Sequence, residues 1–483
     1  QVTFASTEGT APFVYTVESG SGSIDGATGV FTAPAIADLT TIRCSDANGF
    51  YQEQTIQTYN IKKMALGDNF SCMLHIKNDN VTSDLKCWGR KESGEIGTSN
   101  TYLGDATGEM GDNLSTLSFG SGNTPIGIYS SLYYHKCALF SNGKVKCWGY
   151  GNSGRLGLGN QTNYGEYGNS MGAGLAFTQL GDGLTVDTVL SVVKRLSLGS
   201  EHSCVAIDSD SIKCFGQGAQ GRSGNGNQTD YCINNESCGN SLPELSLGAG
   251  KSIVQMSSGH EFSCAVIAPD NKIKCWGRNT YGQLGIESTT DQIVSPSAAA
   301  FVNLGTGRTA LQVSTGYYHA CALLDNNTIK CWGRNNTGQL GIGSTTSIGD
   351  GAGEMGDSLG IADMGSVSFP TSISSKGYFN CALFNDGSMK CWGQNNYGQL
   401  GQGNTAQRGD GANEMADNLI FTNVGTGETI SSVSMSDRHT CVITSANELK
   451  CWGDNTYGQL GIESINRIGN NASEMGDNLI VAN

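Results

Sequence analysis

Proline is scarce in this chain of 483 residues, with 7 in all, and charged residues make up only 15% of it. Surface polarity must therefore come largely from Ser, Thr, Asn and Gln. With 69 glycines beside so few prolines, the profile suits many short strands joined by Gly/Asn turns. Positive charge is also short: 28 Lys and Arg against 43 Asp and Glu give a net charge of −15. That argues against nucleic acid and anionic membrane surfaces as partners. There is no run of eighteen apolar residues, so no segment reads as a membrane-spanning helix. The many glycines lack the GK[ST] continuation of a phosphate loop. The sequence starts at Gln1, as a mature or excerpted chain would.

What the chain does have is internal repetition. Cys331 to Gly341 reads CWGRNNTGQLG, Cys391 to Gly401 reads CWGQNNYGQLG, and Cys451 to Gly461 reads CWGDNTYGQLG. A long fixed period marks one supersecondary unit copied along the chain. The copies begin near Ile61. Each has a first strand such as Leu311–Thr315, a second that carries a Cys (Cys321–Leu324), a short turn, and a third ending in KCWG. The GQLG loop, a variable segment and a fourth strand such as Phe301–Leu304 or Phe421–Val424 follow.

Cysteine is plentiful, with 17 residues. Fourteen form near pairs: Cys72/Cys87, Cys137/Cys147, Cys204/Cys214, Cys264/Cys275, Cys321/Cys331, Cys381/Cys391 and Cys441/Cys451. Structural zinc favours shorter gaps and a second pair close by, so disulfides are the preferred reading. The turns Ser141-Asn142-Gly143 and Asn385-Asp386-Gly387 carry residues that tolerate positive φ. Strands two and three therefore form a hairpin, and folding about Asn142 sets Cys137 opposite Cys147. Each such bridge closes a loop of about ten residues and contributes roughly 2.5–3 kcal/mol on the loop-entropy model. Cys232 and Cys238 are expected to close a small exposed loop. This many disulfides imply an oxidising compartment, extracellular or at the cell surface.

A four-stranded unit in seven copies points to an all-β fold, a seven-bladed β-propeller with one disulfide per blade hairpin. A ring leaves few free sheet edges. It also explains why Trp and Cys, adjacent in strand three and so on opposite faces, are both retained.

The repeats resemble the regulator of chromosome condensation repeat family of seven-bladed propellers. The resemblance covers residues 61–483 and rests on WG-x-N-x-x-GQLG, whole at Trp276–Gly285, Trp332–Gly341, Trp392–Gly401 and Trp452–Gly461, and on the strand His319–Leu323. Ser93–Gly97 and Ser153–Gly157 are looser, and the third copy departs most, with Phe215 for Trp. The paired cysteines are unusual for nuclear members and resemble secreted bacterial relatives instead.

Residues 1–58 differ. Val2–Ser6, Phe13–Ser19, Gly29–Thr32, Thr40–Cys44 and Thr55–Tyr59 read as short strands between Gly/Asp/Asn turns. VESGSGSIDGATGVFTAP and TTIRCSDANG resemble bacterial immunoglobulin-like sandwiches, which usually have one more strand before Val2–Ser6. The expected division is an immunoglobulin-like β-sandwich at 1–58 and the propeller at 59–483. Cys44 has no partner in the pairing above. It is either a small buried residue or a point of intermolecular contact.

No residues gather as a catalytic set. His135, His202, His319 and His439 each sit two residues before the first Cys of a hairpin, which suggests a repeated structural hydrogen bond. A Lys precedes the second Cys in every copy, from Lys86 to Lys450. It reads as a stem packed on the blade with its amine in water, with a cationic ring for an anionic ligand as the alternative. Copies one, five, six and seven carry acidic segments: Asp105, Glu109 and Asp112; Asp350, Glu354 and Asp357; Asp410, Glu414 and Asp417; Glu474 and Asp477. These carboxylates either cap turns while Met110 and its counterparts plug between blades, or they coordinate Ca²⁺, though without EF-hand spacing.

The expected function is a non-enzymatic extracellular or cell-surface binding or adhesion protein. One propeller face would serve as the platform for a protein or glycan ligand, with no cofactor, no nucleic acid and no membrane insertion. One alternative is a subunit of an extracellular fibre, joined to copies of itself through the incomplete sandwich. The other is a secreted inhibitor of an enzyme, which the similar β-lactamase inhibitor protein of this propeller family suggests.

Overall fold

A computed structural model of the chain describes residues 2–3, 14–19, 23–24, 30–32, 38–48, 51–58, 61–76, 83–98, 102–166, 170–186, 196–208, 210–366 and 368–482. Among these the structure is all-β, with short 3₁₀ turns and no α-helix. At the start, Val2–Thr3, Val30–Thr32 and Ser23–Ile24 form one three-stranded sheet, and Val14–Ser19, Asp38–Ser45 and Tyr51–Thr58 form another. The ends of the expected strands at residues 4–6, 13, 29 and 59 lie outside the described residues, as does the tip of the first repeat hairpin at 77–82.

From Ile61 onward seven sheets follow one another. Their innermost strands are Ile61–Gly67, Pro125–Ser130, Leu196–Leu198, Ser252–Ser258, Ala310–Thr315, Pro370–Lys376 and Ile430–Met435. Each of these strands touches the next, and the last touches the first, so the sheets close into a ring as blades 1 to 7. Second strands such as His135–Phe140, His319–Leu324 and His439–Thr444 are buried at every position. A strand can be buried on both faces only if a neighbouring blade covers each one. Among the described residues only blade 3 has a full fourth strand, Glu244–Ser246. At Phe301, Ile361 and Val481 the expected fourth strand shrinks to single bridges with Lys274, Lys330 and Lys450. The segment peels away after one or two bonds, Val302 N to Ile273 O being an example.

Cysteine registers as the turn symmetry requires. Cys137 lies directly opposite Cys147, and Cys321 opposite Cys331. Seven disulfides, Cys72–Cys87, Cys137–Cys147, Cys204–Cys214, Cys264–Cys275, Cys321–Cys331, Cys381–Cys391 and Cys441–Cys451, staple hairpins with Cα atoms 4.0–4.1 Å apart. Cys232–Cys238 closes a loop in blade 3. Cys44 is half-buried and free. It sits on the central strand of its sheet, opposite Tyr15 and Gln52.

The GQLG loop is the latch between blades. Asn335 Oδ1 accepts from Leu340 N at 2.9 Å, while its Nδ2 donates to Ser344 O and Thr346 O. Gly341 has φ of +66°, and a Cβ there would come within 2.8 Å of Trp392 Nε1 in the next blade, so only glycine fits. That indole donates to Gln339 O at 3.2 Å. Trp452 donates likewise to Gln399 O, and Trp88 of blade 1 to Gln459 O of blade 7. The ring therefore closes with the contact that Trp148, Trp332, Trp392 and Trp452 make at four other junctions. Blade 7 keeps its own outer segment, with Ala482 N bonding Leu449 O, so no strand is exchanged between chain ends at the closure.

A second contact pairs the residue two before the first Cys of one blade with the residue just before the first Cys of the next. His135 meets Ser203, His202 meets Ser263 and His439 meets Ser71, all at 2.9 Å, and His319 meets Asn380 at 2.8 Å. Where Phe262 replaces His, its counterpart in the next blade is Ala320. Where Phe70 does, Lys136 lies fully buried with its amine 3.6 Å from the ring centroid and donates to Glu95 O. Where Phe379 stands for His, its counterpart Thr440 turns its hydroxyl to Gln399 O instead, so each partner of a Phe finds a contact other than the ring edge.

Candidate functional site: the aromatic and arginine face

One face of the ring carries the turns between first and second strands, close to the axis, and the GQLG loops further out. The turn residues are Asp68-Asn69, Tyr133-Tyr134, Glu201, His260-Glu261, Tyr317-Tyr318, Tyr378 and Asp437-Arg438. Tyr133 of blade 2 stacks on Tyr317 of blade 5, with centroids 5.6 Å apart and planes at 23°. His260 of blade 4 meets both edge-on, at 5.4 and 5.6 Å, and Tyr378 packs on Tyr317 at 4.9 Å. Rings from blades across the axis can meet only over the axis, so this cluster caps the central channel.

Around the cap runs a ring of cations against aromatics and carboxylates. The Arg334 guanidinium lies 4.9 Å from Tyr281, 5.2 Å from Tyr378 and 5.8 Å from Tyr318. Arg438 and Arg467 flank Tyr397 at 5.3 and 4.8 Å, Arg90 lies over Tyr457 at 5.0 Å, and Arg155 over Tyr150 at 4.9 Å. Glu261 takes Arg222 at 2.8 Å and pairs with Arg278. Burial pushes the Glu261 carboxyl up, but hydrogen bonds from His260 and Arg278 and the Arg222 charge outweigh it and hold it at about 2. Asp437 goes the other way. Burial and the Asp68 charge raise it to about 7, against the pull of Arg438. Burial raises Tyr133 and Tyr378 to about 12, so their hydroxyls stay neutral donors.

The acidic segments begin against the GQLG loop of the preceding blade, where a Cβ on Gly458 would come within 2.4 Å of Asp105 N, and most of their Glu carboxylates cap backbone N–H groups. Glu109 Oε2 accepts from the backbone N–H groups of Gly104, Asp105 and Ala106 at 2.9–3.1 Å. Glu354, Glu414 and Glu474 repeat this with Gly349, Gly409 and Gly469. Asp357 and Asp477 accept from Thr306 and Thr426 of the preceding turn, and Asp417 accepts from Ser366 N at 3.3 Å. Asp105, Asp350 and Asp410 are raised by burial and by their Glu neighbours, while no such capping bond to Asp112 is seen. These bonds favour the turn-capping reading of the Glu carboxylates, each of which turns one oxygen to backbone N–H donors, and among the described residues no three His, Cys, Asp or Glu converge. Met110 fills the gap between Gly461 of blade 7 and its own blade. The repeated lysines do not hold their amines in water as expected: the side chains are buried and the amines bond backbone carbonyls inside the blade. Lys330 Nζ donates to Leu304 O and Gly356 O, and Lys390 Nζ to Met364 O and Ala416 O.

The face residues were not singled out from the sequence. Their only signal is position, in the two places before the second strand and the place after each WG, where Tyr and Arg recur without a fixed motif.

The regulator of chromosome condensation (RCC1) repeat models match residues 253–283, 311–339, 371–399 and 430–459, and in a second form residues 271–323. The ultraviolet-B receptor UVR8 of Arabidopsis thaliana is 26% identical over 80% of this chain and 77% of its own length. The E3 ubiquitin-protein ligase HERC2 of Mus musculus is 24% identical over 68% of this chain, which spans only 6% of that protein. Among solved structures, human WBSCR16 superposes with a TM-score of 0.57 at 16% identity, covering 82% of this chain and 92% of that one. Yeast RCC1 (Prp20), solved bound to Kap60, superposes with 0.56 at 17% identity over 78% of each chain. The closed ring of stapled sheets from Ile61 onward is a seven-bladed β-propeller, and it contains regulator of chromosome condensation (RCC1) repeats within residues 253–459.

Proposed function

We propose that this chain is a non-enzymatic binding protein that works secreted or at a cell surface and holds a protein or glycan partner on its aromatic and arginine face. The observation that carries the reading is the circle of Tyr and Arg around the capped axis. Tyr and Arg, with Trp, are enriched at interface hot spots, because their large planar groups are both apolar and able to hydrogen-bond. Here each Arg is held in place by rings or carboxylates, so little order remains to be gained on binding. The disulfides fit an oxidising compartment, which supports the extracellular address. Protein binding, as distinct from the extracellular address, also fits the structural neighbour yeast Prp20p, which binds Gsp1p and histones.

The test is binding of labelled protein to intact cells and to a glycan array. Arg334→Ala with Tyr378→Ala should abolish it, and Ile361→Ser on the outer edge should leave it unchanged. Binding that survives the first and fails with the second contradicts the reading. The free, half-buried Cys44 favours a second reading, self-assembly into a fibre. Reducible, concentration-dependent oligomers that vanish with Cys44→Ser would support it, and a monomer at all concentrations would remove it.

A further inference from the structure

Beneath the tyrosine cap, the upper half of the central channel holds a cavity of about 380 Å³. That lies within the usual range for small-molecule sites, roughly 300–1,000 Å³. Its wall is unlike the rest of the molecule. Serines dominate, among them Ser197, Ser314, Ser374, Ser375 and Ser432, with Met64, Met256 and Met435 supplying apolar patches. Two lysines, Lys63 and Lys376, line it, and among the described lining residues there is no carboxylate. In a chain of net charge −15, this is a local reversal of sign. Ser375 is 4% exposed, and its hydroxyl has no hydrogen-bond partner. A buried hydroxyl left unpaired costs free energy unless something occupies the space it faces.

We propose that this blind chamber binds a small organic oxyanion, a molecule with a carboxylate or phosphate group and a modest apolar body. The oxyanion is held by the Lys376 ammonium and the serine hydroxyls, and the apolar part lies on the methionines. Hydroxyls donate to an anion without bringing competing charge, and one ammonium in a partly desolvated wall supplies the attraction. The tyrosine stack closes the upper mouth, so the ligand enters from the opposite end of the channel. This site is separate from the face that takes the macromolecular partner.

The test is isothermal titration calorimetry of the full chain at fixed ionic strength, with inorganic phosphate and citrate as anionic probes and glucose as a neutral one. At least one anion should bind at one per chain, and glucose should not bind. Lys376→Met should weaken the anion by about tenfold or more and Ser375→Ala by a smaller factor. Lys144→Met, an exposed lysine at a hairpin turn, should change nothing. Absence of stoichiometric anion binding, equal binding of glucose, or unchanged affinity in Lys376→Met overturns the proposal. If Lys376→Met does not fold, Ser374→Asp places a negative charge in the same wall. Lost anion binding with an intact fold then supports the site, and retained binding overturns it.

Discussion

Acid should loosen this ring at its histidine junctions, and one junction can be rewired to show it. His319 is fully buried, with Nε2 2.8 Å from Asn380 Oδ1 of the next blade. Burial lowers its pKa from 6.5 to about 4, although the Asn380 hydrogen bond pulls upward. A histidine whose folded pKa lies below its unfolded one contributes stability that is complete above the unfolded value. That stability is lost as pH falls toward the folded value. Between pH 7 and pH 5 the loss from this one residue is about 2 kcal/mol. The neighbouring junction shows how to remove it, because Phe262 stands opposite Ala320 there. His319→Phe with Asn380→Ala copies that pair. The assay is urea denaturation of both proteins, disulfides intact, at pH 7 and pH 5. The double variant should lose about 2 kcal/mol less than the parent on acidification. Asp437, raised to about 7, works in the opposite sense, since its contribution is present below its unfolded value and fades as pH rises through 7. It is common to both proteins and cancels in the difference. Equal acid sensitivity of parent and double variant would refute the assignment of His319 as a buried neutral hydrogen-bonding group.

Three further outcomes follow from the same contacts. Cys321→Ser with Cys331→Ser opens one staple and should cost roughly 2.5–3 kcal/mol, read as a lower urea midpoint without a change of slope. Lys136→Ala should destabilise more than Lys136→Ser combined with Phe70→His, because the latter rebuilds the His/Ser pair found at other junctions; thermal melting of the two variants decides it. Chelation with EDTA should leave the melting temperature unchanged, because the Glu carboxylates of the acidic segments already accept backbone N–H groups, and a drop on chelation would restore calcium to those loops.

The blades were legible because their determinants recur at one period. Trp332, Trp392 and Trp452 announce themselves, Asn142-Gly143 fixes a hairpin register, and His135 with its counterparts repeats at a constant offset from Cys. The structure adds what those histidines bond to, and that lies a whole blade away, beyond any local pattern. Other features depend on spatial closure and were not readable. Nothing in the order of residues says that Val481 stays with Lys450 rather than crossing to blade 1. Glu109 was ambiguous because a carboxylate that caps a loop and one that binds a cation look alike in sequence, and the bonds it accepts from Gly104 N and Ala106 N depend on a loop shape that no residue type announces. The Arg334 face escaped notice because its residues vary from copy to copy. The variation that hides them from a repeat search is what a binding surface on a rigid scaffold needs.

The central claim is a ring of seven sheets, each stapled within its own hairpin, living in an oxidising compartment. Mass mapping of unreduced proteolytic peptides tests it most directly. The account requires Cys137 with Cys147, Cys381 with Cys391, and each other pair within one repeat, with Cys44 as the lone thiol. Bonds that join cysteines of different repeats, or reduced hairpin cysteines in protein taken from its natural source, would contradict it.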